Sequence, residues 1–187
     1  MDVEQAIMER RTIRRFSPEP IPEEALLRLV DAGRMAASAG NRQPWRFIVA
    51  REPDLVEEVF QNVAWLPAAG DPPEGQRPTA YIAILTEGEA GRHASDCGAA
   101  AQNICLMAHA LGLGSCWIGS VHRDNCCKLL GIPAELEIYG VIALGYPAES
   151  AVAEEMDNSL SVYRETDGVI HVPKRRRDSI MRFNCWQ

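Results

Sequence analysis

The chain has 187 residues, 47% of them hydrophobic and 24% charged, which supports one domain with a sizeable core and excludes a disordered or fibrous chain. A formal net charge of −7 argues against a general nucleic-acid binder, so no nucleic-acid partner is expected. The opening MDVEQAIMERRTIRRF lacks the apolar stretch of a signal peptide, and no window approaches a membrane span; the expectations are a cytoplasmic location and no membrane partner.

Residues 2–11 read as a helix that runs into RRTIRR, where Arg10, Arg11, Arg14 and Arg15 fall within six positions. IPEEALLRLVDAGRMAA has Pro22 at a helix start, two glutamates in the first turn, and apolar positions at Ala25, Leu26, Leu29, Val30 and Met35. AASAGNRQPWRFIVA, residues 36–50, is built of small residues up to Gly40, then brings Asn41, Gln43, Pro44 and Trp45 together before a strand. So little side-chain volume suggests backbone brought close to something flat or charged. PDLVEEVFQNV is a helix opened by Pro53 and Asp54, PAAGDPPEGQRP a Pro/Gly-rich loop over 67–78, and AYIAILT a buried strand.

After the turn EGEAGR, residues 95–111 carry the longest helical pattern and are apolar nearly all round. Such a helix is covered on most sides by its own domain or by a partner subunit. It stops at GLG, residues 112–114. SCWIGSV is a strand, RDNCCKLLGI a short helix and EIYGVIALGYP a buried strand. From residue 148 the character changes: VYRETDGVIHVP offers short extended pieces around Asp167 and Gly168, then come the basic run KRRR at 174–177 and a last helical stretch.

Alternation of helices with buried strands predicts parallel βαβ units. No G-x-G-x-x-G opens a helix and no P-loop is present. The six cysteines have no C-x-x-C spacing, so the expectation is small core residues and no metal site. The histidines at 93, 109, 122 and 171 form no pattern that demands a triad. The two basic runs, at opposite ends of an acidic chain, are either solvated faces or the two halves of one phosphate site.

Four segments stand in order: RRTIRRF, SAGNRQPWRFIV, DCGAAAQNICLMAHALGLGSCWIG and PKRRR. This order resembles the nitroreductase family of flavoenzymes over essentially the whole chain. In place of a parallel sheet, the resemblance implies an α+β fold with a central, mostly antiparallel sheet wrapped by helices. It implies one FMN-binding domain over 1–187, in which residues 148–187 complete the FMN site and an intimate homodimer. Arg10 and Thr12 would hold phosphate, with Arg11 in the same segment and Arg14 toward the ribityl chain and the N1–C2=O edge. Lys174 and Arg176 would close on the same phosphate. Ser38, Ala39, Gly40, Asn41 and Gln43 would approach the ring of an FMN held mainly by the other subunit, with Trp45 anchoring the strand in the core.

Trp117, Ile118 and Gly119 match the segment against one face of the flavin; for Trp117 and Ile118 ordinary strand core is the equal alternative. The implied chemistry is ping-pong hydride transfer from NADH or NADPH, through FMN, to a nitroaromatic, a quinone or another electron-poor small molecule. No side chain is catalytic in itself, and Arg14 is the electrostatic helper. Residues 61–78 are the one available cover over the flavin, which implies an open pocket. The alternatives are another reaction on the same scaffold (enone reduction, dehalogenation, flavin turnover) or a non-catalytic FMN-binding or storage module.

Overall fold

Four apolar segments pair into one sheet: β1 (Trp45–Ala50), β2 (Ala80–Glu87), β3 (Gly114–Ile118) and β4 (Leu136–Gly145). Their order is β1-β2-β4-β3, and each neighbouring pair is antiparallel. The computed structural model describes residues 1–187 except 68, 89, 90, 167 and 187; the sequence readings at Ala68, at Glu89 and Ala90 of the EGEAGR turn, and at Asp167 lie outside the described residues.

The helices are α1 (Val3–Glu9), α2 (Glu23–Arg34), α3 (Pro53–Gln61), α4 (Ala94–Ala110), α5 (Arg123–Leu129) and the single turn α6 (Arg177–Ile180). Their starts follow the local chemistry. The Asp2 carboxylate accepts from Gln5 N–H at 2.8 Å to cap α1, Pro22 precedes α2, and Pro53 opens α3 where a helix has an orphan N–H anyway.

Side chains alternate across β2. Tyr81, Ala83 and Leu85 pack with Val59 and Phe60 of α3 and Cys126 of α5, while Ala80, Ile82 and Ile84 pack with Leu29 of α2 and Ile104 of α4. Residues 80–86 are therefore all buried. This is why the expected parallel sheet is wrong. A continuous apolar run reports that both faces are covered, and helices cover both faces of this antiparallel sheet. The βαβ signal has one real source: β2 and β3 point the same way, joined through α4, with β4 lying between them. Trp45 is in the core, packed with the α2/α4 cluster.

The N-terminal segment docks along the outer edge of β3. Thr12 bridges Ser115 in parallel fashion, and Ile13 N–H donates to Ser115 C=O at 3.0 Å. Phe16, fully buried, pairs with Pro147, and Ala148 N–H donates to Arg15 C=O at 2.9 Å. Beyond residue 148 a second sheet forms from β5 (Ala151–Glu155), β6 (Tyr163–Arg164) and β7 (Ile170–Lys174), in the order β5-β7-β6, with β5 and β7 parallel. His171 stacks on Tyr163 there, ring centroids 4.9 Å apart, and its Nδ1 donates to the Glu154 carboxylate at 2.8 Å.

One face of α4 is open. Asn103 Nδ2 ties α4 to the Ala32 carbonyl of α2 at 3.1 Å, while Leu106, Met107 and Ala110 line a cavity of about 550 Å³ with Val3, Ala6 and Met35. Val3 and Met35 of this lining are strongly exposed. Among the described residues no helix is long and apolar enough to cross a membrane.

Candidate functional site

The basic segment 10–15 is held from below by a residue the sequence reading passed over. Glu149, just after β4, has a side chain only 2% exposed. Its Oε1 accepts from the backbone N–H groups of Arg14 at 2.6 Å and Arg15 at 3.2 Å, and its Oε2 accepts from Arg164 of β6 at 2.7 Å. A buried carboxylate needs such donors to offset its lost hydration. The result frees the side chains of the segment from the work of positioning it.

Arg14 faces a pocket of about 240 Å³ lined by Ala64–Pro67 on one side and Cys116–Ser120 on the other. Beyond Ser115 the outer edge of β3 has no strand beside it among the described residues, so that edge presents backbone donors and acceptors to the pocket. Ile118 is buried in the core on the α3/α5 face, so it lines the pocket mainly with backbone. Trp117 is 39% exposed and leans on Tyr139, ring centroids 5.8 Å apart. Gly98 and Gly140 leave room for the indole: a Cβ on Gly140 would sit 3.0 Å from its Nε1. Arg123 holds the end of this segment by donating to Gly119 C=O at 3.3 Å and to Ile138 C=O at 3.0 Å. The opposite wall is stitched on by Ala64 N–H to Ser120 C=O, 2.9 Å, and His122 N–H to Asn62 C=O, 2.9 Å. Among the described residues of 61–78, then, it is 64–67 that flank this pocket. The Trp65 indole N–H is buried without a partner there.

A second cleft, of about 350 Å³, lies at the other end of β3 and is lined by Arg10, Arg11, His109, Ser115, Glu149 and Ser150 among others. Arg11 is folded back on α1, donating to the carbonyls of Met8 and Arg10, and so caps the helix C-terminus. Burial, and then the neighbouring Arg10, lower its pKa. Arg11 Nε and His109 Nε2 are both buried without a hydrogen-bond partner. Burial pushes the His109 pKa down, with Arg10 and Arg11 adding to the effect against Glu9. Two cations beside unpaired nitrogens at a cleft suit an anion. His109 gave no sequence signal because its cationic neighbours lie almost a hundred residues earlier.

Ser38, Ala39, Gly40, Asn41 and Gln43 form one loop at the start of α4. Gly40, Asn41 and Gln43 all have positive φ, 58°, 53° and 48°. Ala39, Gly40, Asn41 and Gln43 are exposed. Gln43 N–H donates to Ser38 Oγ at 3.0 Å and its amide reaches Asn41 Oδ1 at 3.2 Å, closing the loop on itself. Ala39 N–H donates to Asp96 Oδ1 at 3.0 Å. Asp96 was missed because an acid in a first turn reads as ordinary helix chemistry.

Lys174 and Arg176 are not brought to Arg10 within one chain. Lys174 pairs with Glu155, the last residue of β5, whereas Ala151, its first, lines the Arg10 cleft; four strand steps separate them by about 13 Å. Arg176 Nε lies 3.6 Å from Glu155 Oε2, both side chains exposed. Among the described residues no group of His, Cys, Asp and Glu could hold a metal ion. Cys97, Cys105, Cys116 and Cys126 are buried free thiols, and burial pushes Cys116 up to about 12.

Residues 7–146 match the model of the nitroreductase family. Over 174 residues the chain is 33% identical to a protein of Archaeoglobus fulgidus provisionally named NADH dehydrogenase/NAD(P)H nitroreductase, covering 85% of this chain and 95% of that one. Its fold is that of an FMN-dependent nitroreductase from Clostridium difficile (TM-score 0.71, 22% identity, 98% of this chain and 100% of that chain covered). It is also that of a nitroreductase with bound FMN from Bacteroides fragilis (TM-score 0.64, 24% identity, 85% and 95% covered). With the α+β fold, the antiparallel sheet and the family match over residues 7–146 in agreement, the chain belongs to the nitroreductase family.

Proposed function

We propose that the chain is an FMN-dependent oxidoreductase that takes hydride from NADH or NADPH and passes it to nitroaromatics, quinones or other electron-poor small molecules. The observation that carries this reading is the pocket joining Arg14 to the free edge of β3 at Trp117–Gly119, beside a cationic cleft with unpaired buried nitrogens. These residues fit FMN: a flat wall, an edge of backbone donors, one guanidinium, and an anion site at the far end of the same strand. Bound FMN would supply the hydride chemistry, which no side chain of the pocket has to provide.

Arg10 and Thr12 hold phosphate in this reading, and Arg11 fixes the helix end that presents them. Arg14 stabilises negative charge at the N1–C2=O edge. The edge of Trp117, Ile118 and Gly119 covers one face. Lys174 and Arg176, about 13 Å along the small sheet from the Arg10 cleft, close on the phosphate in this reading only if the end of β7 moves toward it; the Arg176–Glu155 pair that must yield is a surface pair worth about 0.2–1 kcal/mol. Ser38, Ala39, Gly40, Asn41 and Gln43 serve the FMN of a partner subunit, since their loop is exposed and stands apart from the Arg14 pocket. The same reading makes the protein a cytoplasmic homodimer of one domain, residues 1–187, with 148–187 completing the site. The open apolar face of α4 with α1 and α2 supports the dimer.

The test is direct. The purified protein should be yellow, or become so with one FMN per chain, and the colour should bleach on anaerobic addition of NADH or NADPH. Steady-state data with a quinone should give parallel double-reciprocal lines. Intersecting lines would remove the shared-pocket model, bound FMN that neither nicotinamide reduces would leave a storage module, and a colourless chain indifferent to FMN would end the proposal.

A further inference from the structure

We propose that Glu149 is the positioning residue of the basic segment, and that through Arg164 it makes the small C-terminal sheet part of the flavin site. A negative charge beside an anion cleft is unfavourable unless it holds something in place. Glu149 lines the Arg10 cleft, yet its carboxylate is almost fully buried and is spent on three donors: two successive backbone N–H groups and one guanidinium. Charge-assisted bonds of this kind are the strong ones, and two on neighbouring amides fix both the height and the direction of the chain. With the backbone donors of Arg14 and Arg15 engaged below, the Arg14 side chain is the group that meets the pocket.

The chain of contacts continues outward. Arg164 donates to Glu149 Oε2 at 2.7 Å and to the Gly168 carbonyl at 2.7 Å, so the β6–β7 hairpin holds the guanidinium that holds the carboxylate. Glu165 N–H to Val169 C=O, 3.0 Å, closes that hairpin. Order in the described part of the hairpin is thereby transmitted to Arg14, although none of its described residues lines the Arg14 pocket. A structural prop alone would affect the whole fold; a positioning carboxylate affects two amides and one ligand.

The inference rests on the FMN reading for its ligand, but its first readout does not. In the full-length chain, Glu149→Ala, Glu149→Gln and Arg164→Met are compared with the parent by amide hydrogen exchange without FMN and by FMN titration. In Glu149→Ala the amides of Arg14 and Arg15 should exchange about tenfold faster, the size of one lost hydrogen bond, while those of β2 keep their rates. The FMN dissociation constant should rise about tenfold in Glu149→Ala and about threefold in Arg164→Met. Glu149→Gln, which keeps an acceptor oxygen for Arg14, should fall between parent and alanine in both readouts. If Glu149→Ala does not fold, Glu149→Gln and Arg164→Met are judged by the same two measurements. Unchanged exchange at Arg14 and Arg15 overturns the proposal, as does faster exchange with unchanged FMN affinity. If the parent chain itself binds no FMN, it is the proposed function that fails, and the exchange readout alone decides whether Glu149 holds the segment.

Discussion

The Ala39 N–H and the Asp96 carboxylate, 57 residues apart in sequence, meet at 3.0 Å and tie the 38–43 loop to the first turn of α4. His93 Nδ1 stands 3.9 Å from the other oxygen of Asp96. The loop needs this tether because three of its residues occupy the left-handed region, two of them not glycine. Asp96→Ala should release it. FMN affinity should fall by about 0.5–1.5 kcal/mol, with Asp96→Asn close to the parent because an acceptor oxygen is kept. Fluorescence titration of the flavin measures it, and equal affinity in Asp96→Ala would show that the loop does not touch the cofactor.

Arg10 and Lys174 test the two basic clusters separately. Alanine at either position should weaken FMN by about 1.5–3 kcal/mol while the melting temperature of the FMN-free protein barely moves. A loss at Arg10 with none at Lys174 would assign the phosphate to the N-terminal cluster alone, as the separation along β5 and β7 in one chain would then indicate.

Gly114 is where the basic segment comes closest to β3. A Cβ there would lie 2.8 Å from Ile13 Cγ2 and 2.9 Å from its Cβ, so the strand and the segment cannot both stay in place. Gly114→Ala should destabilise the protein by about 1–3 kcal/mol in urea and loosen FMN as well. Wild-type stability in this variant would mean that the segment moves freely.

His109 gives stability an acid limb. Its folded pKa lies below the ordinary 6.5, chiefly through burial. The folded state therefore favours the neutral ring, so the contribution is complete above about pH 6.5 and is lost as pH falls from there toward the folded pKa. His109→Gln should show a smaller drop in melting temperature between about pH 7 and pH 5.5 than the parent. Parallel profiles would assign the limb to other groups.

The apolar runs made the strands and helices legible: the 80–86 run and the α4 pattern lie where burial periodicity puts them, and Trp45 anchors its strand in the core as expected. Strand direction was not legible in the burial pattern, because burial on both faces hides the alternation that would mark an antiparallel sheet; the antiparallel sheet came from the resemblance carried by the four segments, and it is the one observed. The two arginine-rich runs were visible, but their separation was not, since it depends on how β5 and β7 register. Glu149 and Asp96 were invisible for one reason. Each acts on a backbone amide far away in sequence, and a backbone amide carries no residue identity to read.

The docking of the first residues on the last strands has a consequence for synthesis. Arg14 waits for Glu149, 135 positions later, and Phe16 pairs with Pro147. As the chain leaves the ribosome, α1 can coil at once, but the segment after it has no edge to lie against until β3, β4 and the turn beyond them have emerged. Such long-range closure is slow relative to local structure and comes late. Nascent chains cut short before residue 149 should therefore bind no flavin, so that cofactor loading waits for the turn beyond β4.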